Sequence, residues 1–346
     1  MKTGKVSEAC LKRSVFKQIK TKRKEVVCGA GIGVDCAIFA PSEGVYTGMA
    51  VQEAAVAVQA ADGRMEPGVT VAQLIQMCAN NLAAGGVLPT AAMLTLLLPE
   101  GAEEGLVRNL MGQAGEKCRE LSVEIAGGQT RVLAAVSVPV VTVTMTGNLA
   151  PGTRFFTGAA PELVPGTRAV PGTRFFAGAA PGQDVVVSKW IGLQGTAELA
   201  ERNRAGLLER YPAYLVEEAA GFDCYLSVIP EAATAIKSGV CSMHDVSQGG
   251  IFGALWEMAE RAGVGLTIDM RKLPLRQETV EVCEYCGENP YTLLSGGSLL
   301  MTAEDGQKLV QALAAEQIPA AVVGKVTPGR DRILLNGEEI RYLERP

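Results

Sequence analysis

Apolar residues fall at helical spacing along several stretches of the chain and at strand spacing along others. Between residues 6 and 20, Val6, Cys10, Leu11, Val15, Phe16 and Ile19 define one face of an amphipathic helix, with lysine and arginine on the other. Glu25 to Phe39 holds two short apolar stretches separated by glycines, and Pro41 and Gly44 stop anything helical after them, which predicts strand, glycine loop, strand. Residues 45 to 58 and 138 to 147 are β-branched and predict strands. Residues 69 to 84 repeat with helical period and stop at Gly85-Gly86, Leu94 to Leu98 forms the core of a strand closed by Pro99-Glu100-Gly101, and residues 103 to 121 return to helix. In the second half, strands are expected at 184–190, 265–269, 298–301, 320–326 and 332–335. Helices are expected at 196–202, 227–238, 250–262, 277–287 and 305–316.

Strands alternating with helices over 346 residues exceed what one hydrophobic core serves, so we expect an α/β (α+β) chain of two domains. Composition breaks between them. Pro151-Gly-Thr-Arg-Phe-Phe-Thr-Gly-Ala-Ala-Pro161 recurs almost unchanged as Pro171-Gly-Thr-Arg-Phe-Phe-Ala-Gly-Ala-Ala-Pro181, a duplication too short and too rich in Pro and Gly for a repeat domain. The expected organisation is therefore 1–150, a linker insertion at 151–182, and 183–346.

Charge and cysteine usage narrow the classes. The longest apolar runs fall short of a membrane span, and no apolar signal core follows the basic residues near the amino terminus, so a cytoplasmic protein is expected. A net charge of −5 argues against nucleic acid as a partner. Nine scattered cysteines fit reduced thiols. The Cys283/Cys286 pair reads either as two helix thiols or as part of a metal or redox site, and the chain has one histidine to complete such a site.

Four segments combine glycine with polar side chains beside regular elements: Gly29 to Asp35, Asn80-Asn81 with Gly85-Gly86, Gly127 to Thr130, and His244 to Gly250. Glycine lets a backbone approach phosphate closely, and amides at a following helix start favour an anion. In the last segment Ser247 reads as a helix cap and Gly249-Gly250 open an apolar helix. A dinucleotide fingerprint at Gly29 to Gly33 is disfavoured, because no helix follows it. For His244 and Asp245, a satisfied core histidine beside a capped helix competes with a catalytic role.

The order of these segments resembles the superfamily of aminoimidazole ribonucleotide synthetase, the hydrogenase maturation factor HypE, selenophosphate synthetase and thiamine-monophosphate kinase. Gly33-Val-Asp-Cys-Ala37, Asn80-Asn-Leu-Ala-Ala-Gly-Gly86, Gly127-Gly-Gln-Thr130 and Met243-His-Asp-Val-Ser-Gln-Gly-Gly250 carry it, with Pro181-Gly-Gln-Asp184, Gly192-Leu-Gln-Gly-Thr196 and Cys286-Gly-Glu-Asn-Pro290 extending it over nearly the whole chain outside the repeat. The resemblance implies a two-domain PurM-like fold whose amino-terminal sheet pairs with that of a second subunit into a β-barrel, with ATP and Mg in a cleft near the dimer interface. Carried over by position, it implies that Asp35, Glu53 and Asn81 face a metal. It implies that Gly31, Gly33, Asn80, Gly127, Gly128, Gln129, Thr130, Gly249 and Gly250 contact the nucleotide, and that His244 and Asp245 act on the substrate side. Asn81 and Gln129 stand where the family usually carries acidic residues or histidine, and Gln52-Glu53 replaces a stretch that usually offers aspartate, which weakens attraction for a divalent ion. The chain closes on Leu343-Glu-Arg-Pro346 rather than the cysteine on which the hydrogenase maturation factor works, so that self-modification is not expected. Two readings stay open: an ATP-dependent enzyme activating a small substrate in cofactor or metalloenzyme maturation, together with a maturation partner protein, and a catalytically degenerate nucleotide-binding or scaffold dimer.

Overall fold

Thr70-Val-Ala-Gln73 opens the first long helix with reciprocal caps: the Gln73 backbone N–H donates to Thr70 Oγ1 at 3.1 Å, and the Thr70 N–H donates to Gln73 Oε1 at 2.7 Å. A computed structural model describes residues 6–42, 45–57, 68–150 and 178–345; most of the repeated segment, 151–177, lies outside the described residues. The helices are α1 (Glu8–Cys10), α2 (Val71–Ala84), α3 (Glu104–Glu120), α4 (Leu193–Arg202), α5 (Arg204–Arg210), α6 (Ala213–Ala220), α7 (Ile229–Lys237), α8 (Gly250–Ala262), α9 (Gln277–Cys286) and α10 (Gly306–Ala315). The amphipathic segment expected at 6–20 is one short helical stretch, in which α1 runs into a wider turn at Leu11–Val15 and a tighter one at Phe16–Gln18.

The first sheet contains β1 (Val26–Cys28), β2 (Ala37–Ser42), β3 (Val45–Ala55), β4 (Val87–Leu98), β5 (Glu124–Val132) and β6 (Val140–Leu149), ordered β1-β2-β3-β6-β4-β5. All neighbours are antiparallel except the parallel pair β4 and β5. Alternation along these strands divides the sheet into two unlike faces. Ala50, Ala92, Leu94, Leu96, Val141, Val143 and Met145 pack under α2 and α3, while Met49, Val51, Met93 and Val132 stand exposed on the sheet. The expected long strand at 45–58 is borne out over Val45–Ala55.

The second sheet contains β7 (Asp184–Ser188), β8 (Ser242–Val246), β9 (Gly265–Asp269), β10 (Ser298–Ala303), β11 (Ala320–Thr327), β12 (Arg332–Asn336) and β13 (Glu339–Tyr342), ordered β13-β12-β9-β11-β7-β10-β8. Its central strands are apolar on both faces because helices cover both: α8 packs over Val185, Val187, Val246 and Leu300, while α7 and α10 pack over Val186, Met243, Leu299 and Met301. No helix among the described residues is long and apolar enough to cross a membrane.

The sequence did not reveal α5, α6, β8 or β13. β8 was hidden because its polar run Ser242-Met-His-Asp-Val246 lacks the apolar alternation of a strand, yet all five residues are buried. Ser247 is not the cap of α8, since Gly249 holds that position with φ 85° and no side-chain cap bond.

Candidate functional site

Among the described residues β8 is an edge strand paired with β10 alone, and it carries His244 and Asp245 to the seam with the first sheet. From the other side comes the Gly29–Asp35 loop between β1 and β2. Gly33 adopts φ 67°, and a Cβ there would sit 2.6 Å from the Glu257 carbonyl oxygen, so the loop reaches α8 only with glycine at this point. Arg261 of α8 closes the contact by donating from Nη1 to the Gly33 carbonyl at 3.0 Å.

This approach sets Asp35 against His244. Asp35 Oδ2 lies 2.8 Å from His244 Nδ1, and Glu257 Oε2 lies 3.1 Å from His244 Nε2. The imidazole is buried, with 6% of its side chain exposed, and carboxylates occupy both ring nitrogens. Burial disfavours its charged form, but the attraction and hydrogen bonds of Asp35 and Glu257 outweigh that cost and raise the His244 pKa to about 10. The ring is therefore a charged clamp between two carboxylates, with neither nitrogen open to a substrate.

Asp245 is also buried, and its Oδ1 has no hydrogen-bond partner among the described residues. Burial, reinforced by the charge of Asp35, raises its pKa to about 8 against the opposing pull of His244 and Lys189. Lys189 follows β7 and is itself buried. Its Nζ pairs with Glu231 Oε1 at 2.6 Å and donates to the Tyr225 and Ser227 carbonyls at 2.7 and 2.5 Å. Asp35, Glu257, His244, Asp245, Lys189 and Glu231 thus form a run of buried and half-buried titratable groups through the second domain and its seam with the first.

Asn80, expected at the nucleotide, instead ties α2 to the second domain: Nδ2 donates to the Leu226 carbonyl at 2.7 Å and Oδ1 accepts from the Val228 N–H at 3.1 Å. Asn81 follows on α2 and is half-buried. Cys78 of α2 reaches the Ala50 carbonyl, which places this helix on the covered face of the first sheet. Glu53 lies on the opposite face, in step with exposed Met49 and Val51, and Gln52 is the neighbour that faces α2. The residues expected to share a metal are therefore not brought together: Asp35 is held by His244, and Glu53 and Asn81 stand on opposite sides of the sheet.

Gly127, Gly128, Gln129 and Thr130 do not form a turn. They lie in β5, an exposed edge strand in parallel register with β4. Gly128 is required because a Cβ would meet the Leu94 carbonyl oxygen at 1.8 Å, whereas Gly127 has only the end of the Met93 side chain near it, at 3.8 Å. Pairing aligns Glu53 with Thr142, Thr142 with Thr95, and Thr95 with Gln129 across the open face. Gly249 and Gly250 both adopt positive φ at the start of α8, and Gly250 packs closely on the Tyr291 carbonyl. Gly31 lies in the loop that delivers Asp35 and packs near Val34.

Two family models divide the chain along this same architecture. Residues 33–149 match the N-terminal domain of AIR synthase related proteins, and residues 180–335 match the C-terminal domain. The chain belongs to the AIR synthase-related family. Carbamoyl dehydratase HypE of Rhodobacter capsulatus is 28% identical over 254 residues, covering 72% of this AIR synthase-related chain and 66% of that relative, so about a third of the relative lies outside the match. A structure of a HypE-HypF complex superposes with TM-score 0.69 at 18% identity, covering 90% of this chain and 93% of the other. Hydrogenase maturation protein HypE solved with ATP superposes with TM-score 0.65 at 17% identity, over 99% and 96% of the two chains. The PurM-like fold implied by the sequence motifs is thereby borne out.

Glu257, Arg261, Lys189 and Glu231 escaped sequence reading. Glu257 and Arg261 sit four residues apart on α8 and so share a helix face, but nothing in the sequence says which loop that face meets.

Proposed function

We propose that this AIR synthase-related chain binds ATP as a cytoplasmic homodimer, between the open face of its first sheet and the same face of a second copy, in the service of metalloenzyme or cofactor maturation. The observation that carries this reading is the polar row Glu53, Thr142, Thr95 and Gln129 beside Gly127 on the same face; Thr130, in step with buried Leu96, belongs to the other. The row spans three strand spacings, roughly 14 Å, about the length over which a nucleotide extends. Met49, Val51 and Met93 border it with apolar surface that a second copy would cover. ATP in a HypE of the same fold and the existence of a HypE-HypF complex support a nucleotide and a maturation partner protein as ligands.

Magnesium does not fit as the resemblance implies. The open face offers the single carboxylate of Glu53 from the expected set, Asn81 lies under the sheet, and the Asp35 carboxylate is engaged by a charged imidazole. We derive no phosphoryl-transfer step through a metal held by these three residues. His244 and Asp245 read as positioning groups at the seam rather than as acid and base. A second reading, activation of a small substrate by ATP, is favoured by the buried and unpaired Oδ1 of Asp245 next to Lys189.

Calorimetric titration with ATP, with and without magnesium, tests the main reading. Binding should be saturable, depend little on magnesium, and weaken at least tenfold in Gly127→Val, which fills the open face without crowding β4. A folded dimer that ignores ATP, or a Gly127→Val variant with unchanged affinity, would sink it.

A further inference from the structure

The Cys224–Ser227 segment, held by Asn80 at Leu226 and at the following Val228, also forms one wall of a cavity of about 420 Å³ in the second domain. Trp190, Tyr225 and Ser227 line it together with Pro230 and Glu231 from the first turn of α7 and Pro319 before β11. It shares no residue with the Asp35–His244–Glu257 clamp or with the open face of the first sheet. Its volume lies in the range of small-molecule sites.

We propose that this cavity is a binding site for an uncharged, planar aromatic small molecule, of the size of a fused two-ring heterocycle. Charge decides the class of ligand first. Lys189 is the cation of the cavity, and its three N–H donors are matched by Tyr225 O, Ser227 O and Glu231 Oε1 at 2.7, 2.5 and 2.6 Å. The ammonium is spent on the protein and the Glu231 carboxylate is neutralised by it, so the floor attracts neither phosphate nor an organic cation. A charged ligand would lose its hydration without gaining a partner.

The walls decide the shape. Trp190 and Tyr225 meet edge to face with ring centroids 5.4 Å apart, an arrangement that offers a flat surface and an electropositive edge to a third ring. The Arg276 guanidinium lies 5.0 Å from the Trp190 ring centroid and holds the indole in place. Pro230, Ile318 and Pro319 complete an apolar rim, and the Gln317 amide, without a partner among the described residues, supplies a polar group for orientation.

The backbone supports a built site. Lys189 adopts φ 50°, a left-handed conformation unfavourable for a residue with a side chain, and it is retained by its N–H bond to the Pro319 carbonyl at 2.6 Å and by the three contacts of its ammonium. That conformation turns the chain so that Lys189 points to the floor while Trp190 forms the wall.

Cys224 reports on the site, because among the nine cysteines it alone is exposed and it lies at the cavity. The probe is benzimidazole, used above its own pKa where it is neutral, against its ring-carboxylated analogue. Binding is followed by ligand-observed NMR, and alkylation of Cys224 by iodoacetamide is followed by peptide mass spectrometry. Benzimidazole should bind saturably and slow Cys224 alkylation at the same concentrations, with the carboxylated analogue at least about tenfold weaker. Pro230→Trp, a substitution at an exposed mouth position, should abolish binding while the melting temperature stays near that of the parent, and Trp190→Ala should abolish binding with a lower melting temperature, since Trp190 packs on the Leu193–Ala197–Phe222 cluster. The proposal is overturned if benzimidazole leaves alkylation unchanged, if it binds Pro230→Trp and Trp190→Ala as it binds the parent, or if the carboxylated analogue binds equally well.

Discussion

His244 on β8 and Asp35 in the loop before β2 meet at 2.8 Å across 209 residues of sequence, and this contact joins the two halves of the chain. It is buried, so its energetics differ from those of the surface ion pairs elsewhere on the molecule. Removing one partner leaves a carboxylate or an imidazolium uncompensated inside the seam.

We predict that His244→Ala destabilises the fold by about 3 to 5 kcal/mol, because Asp35 and Glu257 are then left facing each other without the cation between them. Asp35→Asn combined with His244→Gln should cost clearly less than the sum of the single changes. Urea denaturation of the four proteins measures this coupling, and strict additivity would show that the two side chains do not interact.

Stability should fall as pH rises. A buried Asp245 with a pKa near 8 keeps a proton that the unfolded chain gives up above ~3.9, so its contribution is complete below that pH and is lost on passing through 8. His244, raised to about 10, contributes fully below ~6.5 and loses that contribution as pH climbs towards 10. Asp245→Asn should flatten the decline between pH ~4 and ~8 and leave the fall at higher pH. Denaturation midpoints across this range provide the measurement, and an unchanged slope below pH 8 in the variant would contradict the assignment.

Asn80→Ala should cost about 1 to 3 kcal/mol, since it strands the Val228 N–H and the Leu226 carbonyl at a dry seam. Amide hydrogen exchange of Val228 should accelerate by more than the loss of global stability alone explains. Exchange that tracks global unfolding would mean that the segment is held by other contacts.

The open face of the first sheet gives a fourth expectation. Val51→Glu and Met93→Glu place charges on exposed apolar positions of neighbouring regions of that face, so a homodimer formed there should dissociate while the monomer stays folded. Light scattering at micromolar protein compares the variants with the parent. A parent that is monomeric, or charged variants that remain dimeric, would remove this interface.

Gly33→Ala should loosen the clamp at its source. The added Cβ meets the Glu257 carbonyl at 2.6 Å and the left-handed φ of 67° resists a side chain, which together cost roughly 2 to 4 kcal/mol. Alkylation of Cys28, buried beside Arg261 in the parent, should become faster as the loop withdraws. An unchanged rate and unchanged stability would show that the loop has room to adapt.

The sequence by itself determined the parts of this protein that local physics controls. Helical period and the stop at Gly85-Gly86 marked α2, β-branched alternation marked β3 and β6, and the ordered glycine segments identified the family. Those signals depend on neighbours within a few residues. Tertiary structure decided the rest. Whether Asp35 faces a metal or a histidine depends on a loop docking against α8, and whether Glu53 lies with Asn81 depends on strand parity: a shift of one residue moves a side chain through the sheet. β8 was invisible for a related reason, because its polar residues are made tolerable only by partners brought from distant segments. Charges such as Lys189 and Glu231 look like surface residues in the chain, and they become an internal ion pair only when β7 and α7 are packed together.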